Sequence, residues 1–223
     1  PIEESGDEPA IMFKNSQCPV VIGPNRIQAA KHLMENTDSN VILSDDGLQH
    51  FSLGRDIEIL MIDGNRKFGN ELLLPAGPLR EPKSRIKTVD FTISSNRKWP
   101  SVAKYEMKYR PFKWVHMKSQ KEYDIFDWPL KKEVNAVAGI GNPSNFFNLL
   151  KQLGFDISEY AFPDHHDFHS VDFEIMDNQP TVMTEKDAIK CSFLDHTNYW
   201  YLKIEAEVSD NFEQDFLAEI KSK

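Results

Sequence analysis

Apolar positions recur along the chain at two spacings. Over residues 25–35, Ile27, Ala30, Leu33 and Met34 fall three or one apart and share one face of a helix. Short apolar runs at residues 19–22, 41–43, 57–62 and 91–93 predict strands, buried on both faces where few polar positions interrupt them. Strand, helix and strand in this order predict an α/β fold with a parallel sheet. Residues 105–117 behave differently: Tyr105, Met107 and Tyr109, then Phe112, Trp114 and His116, alternate with polar neighbours. With residues 123–128 this stretch predicts a two-stranded ribbon. The α/β pattern then returns, with a strand at 134–138, a helix at 144–153 closed by Gly154, a strand at 181–183, a helix at 185–191 and a strand at 200–204. From Asn211 the tail reads as an acidic amphipathic helix. The expected organisation is an α/β core over residues 1–104, a two-stranded linker over 105–130 and a smaller α/β subdomain over 131–223.

Composition narrows the function classes. The 223 residues are 40% hydrophobic and 27% charged, ordinary for a globular chain with a real core. No apolar run approaches the roughly 18 residues of a membrane span. A net charge of −9 argues against nucleic acid as the main partner. Cys18 and Cys191 have no metal-ligand spacing and suggest a reducing compartment. The acidic start, with no initiating Met and no secretory pattern, reads as a fragment boundary.

The sharpest chemical signal is Val41-Ile42-Leu43-Ser44-Asp45-Asp46-Gly47. A parallel strand delivers carboxylates to its C-terminal edge, where α/β folds bind ligands. Magnesium takes hard oxygen ligands and keeps several waters, so one or two carboxylates suffice. On this evidence alone a helix cap or turn explains the two Asp equally well. Around them stands an ordered series: Gly6-Asp7-Glu8-Pro9-Ala10, Asp45-Asp46-Gly47-Leu48-Gln49-His50, Asp63-Gly64-Asn65-Arg66, Leu74-Pro75-Ala76-Gly77-Pro78-Leu79-Arg80-Glu81, Val137-Ala138-Gly139-Ile140-Gly141-Asn142-Pro143, Phe162-Pro163-Asp164-His165 and Met183-Thr184-Glu185-Lys186-Asp187-Ala188. The series resembles the tetraacyldisaccharide 4'-kinase family from about Gly6 to about Leu202.

That resemblance implies a fold related to P-loop kinases, with ATP and Mg2+ as cofactors and a tetraacyldisaccharide 1-phosphate as lipid substrate. It implies transfer of the γ-phosphoryl group to the 4'-hydroxyl, in lipid A biosynthesis, at the cytoplasmic face of the bacterial inner membrane. Residue by residue, Asp7 matches the carboxylate that acts on the sugar hydroxyl, and His165 matches the histidine paired with it. Asp45 and Asp46 match the acidic pair at the magnesium. Glu8 and Glu81 match further acidic positions, and Gln49, His50, Arg80 and Lys186 match binders of substrate or nucleotide. The family's membrane contact is expected mainly upstream of Gly6, this chain being a soluble monomer. No G-x-x-x-x-G-K-[ST] stands in the sequence, Gly139-Ile140-Gly141-Asn142-Pro143 being the nearest glycine-rich turn. Without backbone amides and a Lys around the β- and γ-phosphates, the chain alone is expected to transfer little or no phosphate.

Plainer readings stand beside these. Asp164-His165-His166-Asp167-Phe168-His169 resembles a metal cluster, but adjacent residues rarely face one ion and no spacing supports zinc. His166 and His169 are therefore expected to be bystanders. Thr184 is expected to cap a helix, whether or not Lys186 serves the site. The aromatic ribbon is expected to pack rather than to bind acyl chains. The alternatives to the kinase are a magnesium-dependent phosphohydrolase using Asp45, Asp46 and His165, and a non-catalytic substrate-binding fragment.

Overall fold

A computed structural model describes residues 6–176, 178–194, 198–209 and 211–223. The chain falls into two compact units. One joins the chain up to Ile22 to Pro111–Glu205, and the other joins Gly23–Arg110 to Ala206–Lys223.

The first unit holds helix α1 (Asp7–Ser16), strand β4 (Glu122–Asp124), strand β5 (Glu133–Ala138), helix α3 (Pro143–Gln152), strand β6 (Asp156–Ala161), strand β7 (Thr181–Thr184) and the short helix α4 (Glu185–Ala188). The second holds helix α2 (Arg26–Asn36), strands β1 (Ile59–Asp63) and β2 (Phe91–Ser95), and helix α5 (Asn211–Ser222). Two long strands, β3 (Tyr105–His116) and β8 (Tyr199–Val208), run from one unit into the other.

In the first unit β5 pairs in parallel with β6 and β7, and β7 pairs in parallel with β8. Such strands are covered on both faces, and their side chains sort by alternation. Val134, Ala136 and Ala138 face one core with Val182, Trp200 and Leu202, where α3 contributes Phe146, Phe147 and Leu150. Val137, Met183 and Tyr201 face a second core with Phe168, Phe173 and Cys191. Trp114 is fully buried in the first core and donates its Nε1–H to the Ile125 carbonyl at 2.9 Å. The expected ribbon is present as β3 against β4, antiparallel, with Trp114 opposite Tyr123. Its second strand is shorter than the pattern suggested, because the chain turns back after Asp124.

In the second unit β1, β2 and β3 are successive parallel neighbours. Phe212 and Phe216, one helical turn apart on α5, pack on the Phe91 ring with centroids 5.5 and 5.7 Å away. Helix α2 begins where the sequence predicts, with the Asn25 side chain accepting from the Ile27 and Gln28 amides at 3.0 and 3.1 Å.

Two predicted strands are corrected. Residues 19–22 and 41–43 form no strand. Val41, Ile42 and Leu43 are 48%, 38% and 82% exposed and pair with no strand among the described residues. An apolar run becomes a strand only where a neighbour satisfies its backbone groups. The predicted helix at 185–191 is also shorter, ending at Ala188 and continuing as single turns to Cys191. Helix α1 and strand β6 were not anticipated from the pattern. No helix among the described residues is long and apolar enough to cross a membrane.

Candidate active site

The residues singled out in the sequence gather in two groups, one in each unit. In the first unit, Asp7 opens α1 behind Gly6, whose φ of 82° suits a residue without a Cβ. One oxygen of Asp7, Oδ1, accepts the Glu8 amide at 3.0 Å. The other, Oδ2, is buried without a hydrogen-bond partner among the described residues. Three nitrogens converge on it: His165 Nδ1 at 3.5 Å, Lys190 Nζ at 3.6 Å and Lys186 Nζ at 3.8 Å. Burial raises the pKa of Asp7, but Lys186, Lys190, the Glu8 amide and His165 outweigh it and hold the carboxyl below its ordinary value.

His165 sits in a left-handed backbone conformation, φ 58°, uncommon for a residue with a Cβ. The turn is supported by its own amide, which donates to Asp164 Oδ1 at 3.1 Å. Its neighbours serve the loop. His166 stacks on Phe162 and meets Asp172 Oδ2 at 3.0 Å, while the His169 amide donates to the same Asp172 oxygen at 2.8 Å. The His169 amide, against the opposing effect of burial, holds Asp172 below the usual carboxylate range, with His166 assisting. Lys186 also reaches Glu8 at 3.2 Å. Thr184 caps α4 by accepting the Asp187 amide at 3.1 Å.

Asp187 stood in the motif series without a site role, and Lys190 was not singled out in the sequence. Asp187 is fully buried and accepts from the Gly139 amide at 3.0 Å and the Thr184 hydroxyl at 2.6 Å. Burial raises its pKa despite those bonds and the nearby lysines. Lys190 stands four residues past Lys186, which was the available signal, since such residues face the same way along a helical turn.

In the second unit the acidic pair lies at the head of a closed ring of polar contacts. Asp46, at φ 45°, takes the Arg80 guanidinium on both oxygens at 3.1 and 2.8 Å. Arg80 also donates to Gln49 Oε1 at 3.2 Å, and Gln49 Nε2 donates to Glu81 Oε1 at 2.7 Å. Glu81 pairs with Arg85, Arg85 with Glu58, and Glu58 with Arg55. Arg55 returns to the Gly47 and Leu48 carbonyls at 3.1 and 2.8 Å, beside the acidic pair. The ring thus unites Asp46, Gln49, Arg80 and Glu81. Among the described residues His50 contributes only backbone bonds, to Gly47 and Leu53.

Asp45 accepts the Asp46 amide at 3.0 Å and forms no ion pair among the described residues. Its carboxylate and that of Asp46 are hard oxygen donors, and one or two such groups fit a magnesium ion that keeps its waters. No group of three or more metal-ligating side chains occurs among the described residues.

A family model described as Tetraacyldisaccharide-1-P 4'-kinase matches residues 1–221. The chain belongs to that family. It is 46% identical over 213 residues to the tetraacyldisaccharide 4'-kinase of Legionella pneumophila strain Corby, covering 95% of this chain and 64% of that relative. It is 44% identical over 211 residues to the tetraacyldisaccharide 4'-kinase of Nitrosococcus oceani, covering 93% of this chain and 60% of that relative. The chain therefore spans under two thirds of the length of these kinases. Among solved structures, it is similar to LpxK from Aquifex aeolicus, crystallised in complex with ATP at 2.2 Å. The TM-score is 0.78 at 28% identity, over 97% of this chain and 69% of that one. The α/β fold is accordingly that of the P-loop kinases, as the motif series implied.

Proposed function

We propose that the chain is part of an ATP-dependent lipid kinase that phosphorylates the 4'-hydroxyl of a tetraacyldisaccharide 1-phosphate. The observation that carries the reading is Asp7 Oδ2, a buried carboxylate oxygen with no hydrogen-bond partner among the described residues, faced by His165 in a chain of this family. A sugar hydroxyl is a weak nucleophile, and a carboxylate within hydrogen-bond reach accepts its proton as the new bond to phosphorus forms. Asp7 Oδ2 is that acceptor. The cations around it keep it ionised at neutral pH, so it is ready to receive the proton. His165 Nδ1, 3.5 Å away, orients the carboxylate and shares the proton, compensating for a carboxylate that the same cations make a weak base.

Asp45 and Asp46 would hold magnesium, which with ATP bound neutralises phosphate charge. One Arg80 nitrogen contacts both Asp46 oxygens and also Gln49, whose amide reaches Glu81, so these four side chains stand together beside the acidic pair. Lys186 and Glu8 form a charged pair at the rim of the Asp7 site, suited to contact with substrate or nucleotide. No residue of this sequence is assigned the phosphate cradle, because no glycine-rich Lys-Ser/Thr loop stands in it. The substrate being a lipid, the reaction belongs at the cytoplasmic face of the bacterial inner membrane, with the chain acting as a monomer.

The test is phosphoryl transfer from ATP to the tetraacyldisaccharide 1-phosphate in the complete kinase, with Asp7→Asn, His165→Ala and the double variant. Residues that act as a unit are not additive. The double variant is expected to be about as slow as the slower single one. Multiplying losses would show that the two do not work together.

A further inference from the structure

Of the two lysines at Asp7 among the described residues, Lys190 is the more buried. Its side chain is 13% exposed, against 22% for Lys186, whose nearer partner is Glu8. The Lys190 ammonium meets Asp7 Oδ2 at 3.6 Å and Asp187 Oδ1 at 3.9 Å, and donates to the His166 carbonyl at 3.4 Å. Those three groups belong to different pieces of the unit: the first turn of α1, the short helix α4, and the loop that carries His165. Asp187 is itself anchored through its other oxygen to Gly139 and Thr184. Asp187 Oδ1 has no hydrogen-bond partner among the described residues, so the nearby ammonium is its compensation for burial. Acidic and basic groups therefore alternate as Asp187, Lys190 and Asp7.

We propose that Lys190 is the positioning residue of the Asp7 site, fixing the Asp7 carboxylate and the backbone beside His165 around one ammonium group. The proposal rests on the reading of Asp7 as proton acceptor and adds what holds that acceptor in place. Lysine suits the role because its ammonium is a compact point charge with three donors, able to serve three acceptors in different directions. Its effect is electrostatic as well as steric. The charged and titratable groups facing Asp7 are Glu8 on its own helix, Lys186 and Lys190 from the α4 region, and His165 from its loop, with Asp187 behind Lys190 and Asp164 behind His165. Taking away Lys190 leaves Lys186 as the only lysine at the carboxylate among the described residues, with His165 beside it.

The experiment follows the Asp7 carboxyl by carbon-detected NMR titration in the protein, assigned by comparison with Asp7→Asn. In Lys190→Met the Asp7 midpoint is expected to move up by about one pH unit, the lower end of what an opposite charge at this distance confers. In Lys190→Arg, which keeps the charge, it is expected to stay near the parent value. If the Met variant does not fold, Lys190→Gln is read by the same criterion. A midpoint unmoved in a folded Met or Gln variant overturns the proposal, as does an Arg variant that behaves like Met. In the complete kinase, the acidic limb of the kcat/KM profile is expected to move in the same direction, with KM within about threefold of the parent. If the titration shifts as expected while Asp7→Asn leaves transfer intact, the kinase reading of Asp7 has failed and the electrostatic role of Lys190 stands alone.

Discussion

Replacing Asp187 by alanine removes the one fully buried carboxylate among the described residues of the first unit and leaves its partners behind. The Gly139 amide loses its acceptor at 3.0 Å, and an unsatisfied buried amide costs about 1–3 kcal/mol. The Thr184 hydroxyl loses its bond at 2.6 Å, worth about 0.5–1.5 kcal/mol. The combined destabilisation is about 2–4 kcal/mol, a large share of the roughly 5–15 kcal/mol that holds a domain together. Asp187→Asn separates charge from hydrogen bonding. It keeps an acceptor for Gly139 and removes a carboxylate whose ionised form is disfavoured by burial, so its cost is expected to stay within about 1 kcal/mol. The pH dependence supports the distinction. A carboxyl whose folded pKa is raised stabilises the fold fully below its unfolded value and loses that contribution as pH rises through the folded value. The Asn variant lacks this slope. Urea unfolding followed by tryptophan fluorescence is the assay, because Trp114, Trp128 and Trp200 all lie in this unit. Equal stabilities for the Ala and Asn variants, within about 0.5 kcal/mol, would refute the assignment of the cost to the Gly139 bond.

Other predictions bear on the second unit and on acid stability. In Gly64→Ala the new Cβ would lie 1.8 Å from the Arg97 carbonyl oxygen, a backbone atom, so the change is expected to cost about 3 kcal/mol or more in urea unfolding. Glu58, 13% exposed and paired with both Arg55 and Arg85, is expected to lose about 2–3 kcal/mol as Glu58→Ala. Arg80→Ala, at a pair more than half exposed on each side, is expected to leave the urea midpoint essentially unchanged, because solvent screens such a pair. Asp7 has a lowered pKa, so its contribution is present above the unfolded value of 3.8 and is lost as pH falls through the folded value. Thermal melts of Asp7→Asn below pH 4 are expected to show a shallower acid loss than the parent, and parallel curves would contradict this.

How much of this was legible in the sequence depended on whether the deciding neighbour was close along the chain. Helix α2 was readable because Asn25 caps it locally and Ile27, Ala30 and Leu33 mark its face. Strands β1, β2, β5 and β7 were readable from apolar runs that happen to be flanked by partners. Residues 41–43 carry an equally apolar run but no partner among the described residues, a fact absent from their own letters. Helix α1 was hidden because its pattern is mixed and none of its residues is buried. At the site, local chemistry could nominate Asp45 and Asp46 but could not separate a magnesium ligand from a turn. The motif series named Gln49, Arg80 and Glu81, yet only the fold shows Arg80 reaching back 34 residues to Asp46. The roles of Lys190 and Asp187 escaped because they come from convergence on Asp7 and Gly139, which are remote in sequence.

The central claim is that Asp7 receives the proton of the hydroxyl being phosphorylated. The direct measurement is kcat for transfer from ATP to the tetraacyldisaccharide 1-phosphate in the complete kinase carrying Asp7→Asn, a substitution of nearly the same shape that cannot accept the proton in the same way. The account predicts a fall in kcat of about 10²–10⁴-fold with KM little changed, the size typical of losing a general base. A variant that turns over within about threefold of the parent would contradict it.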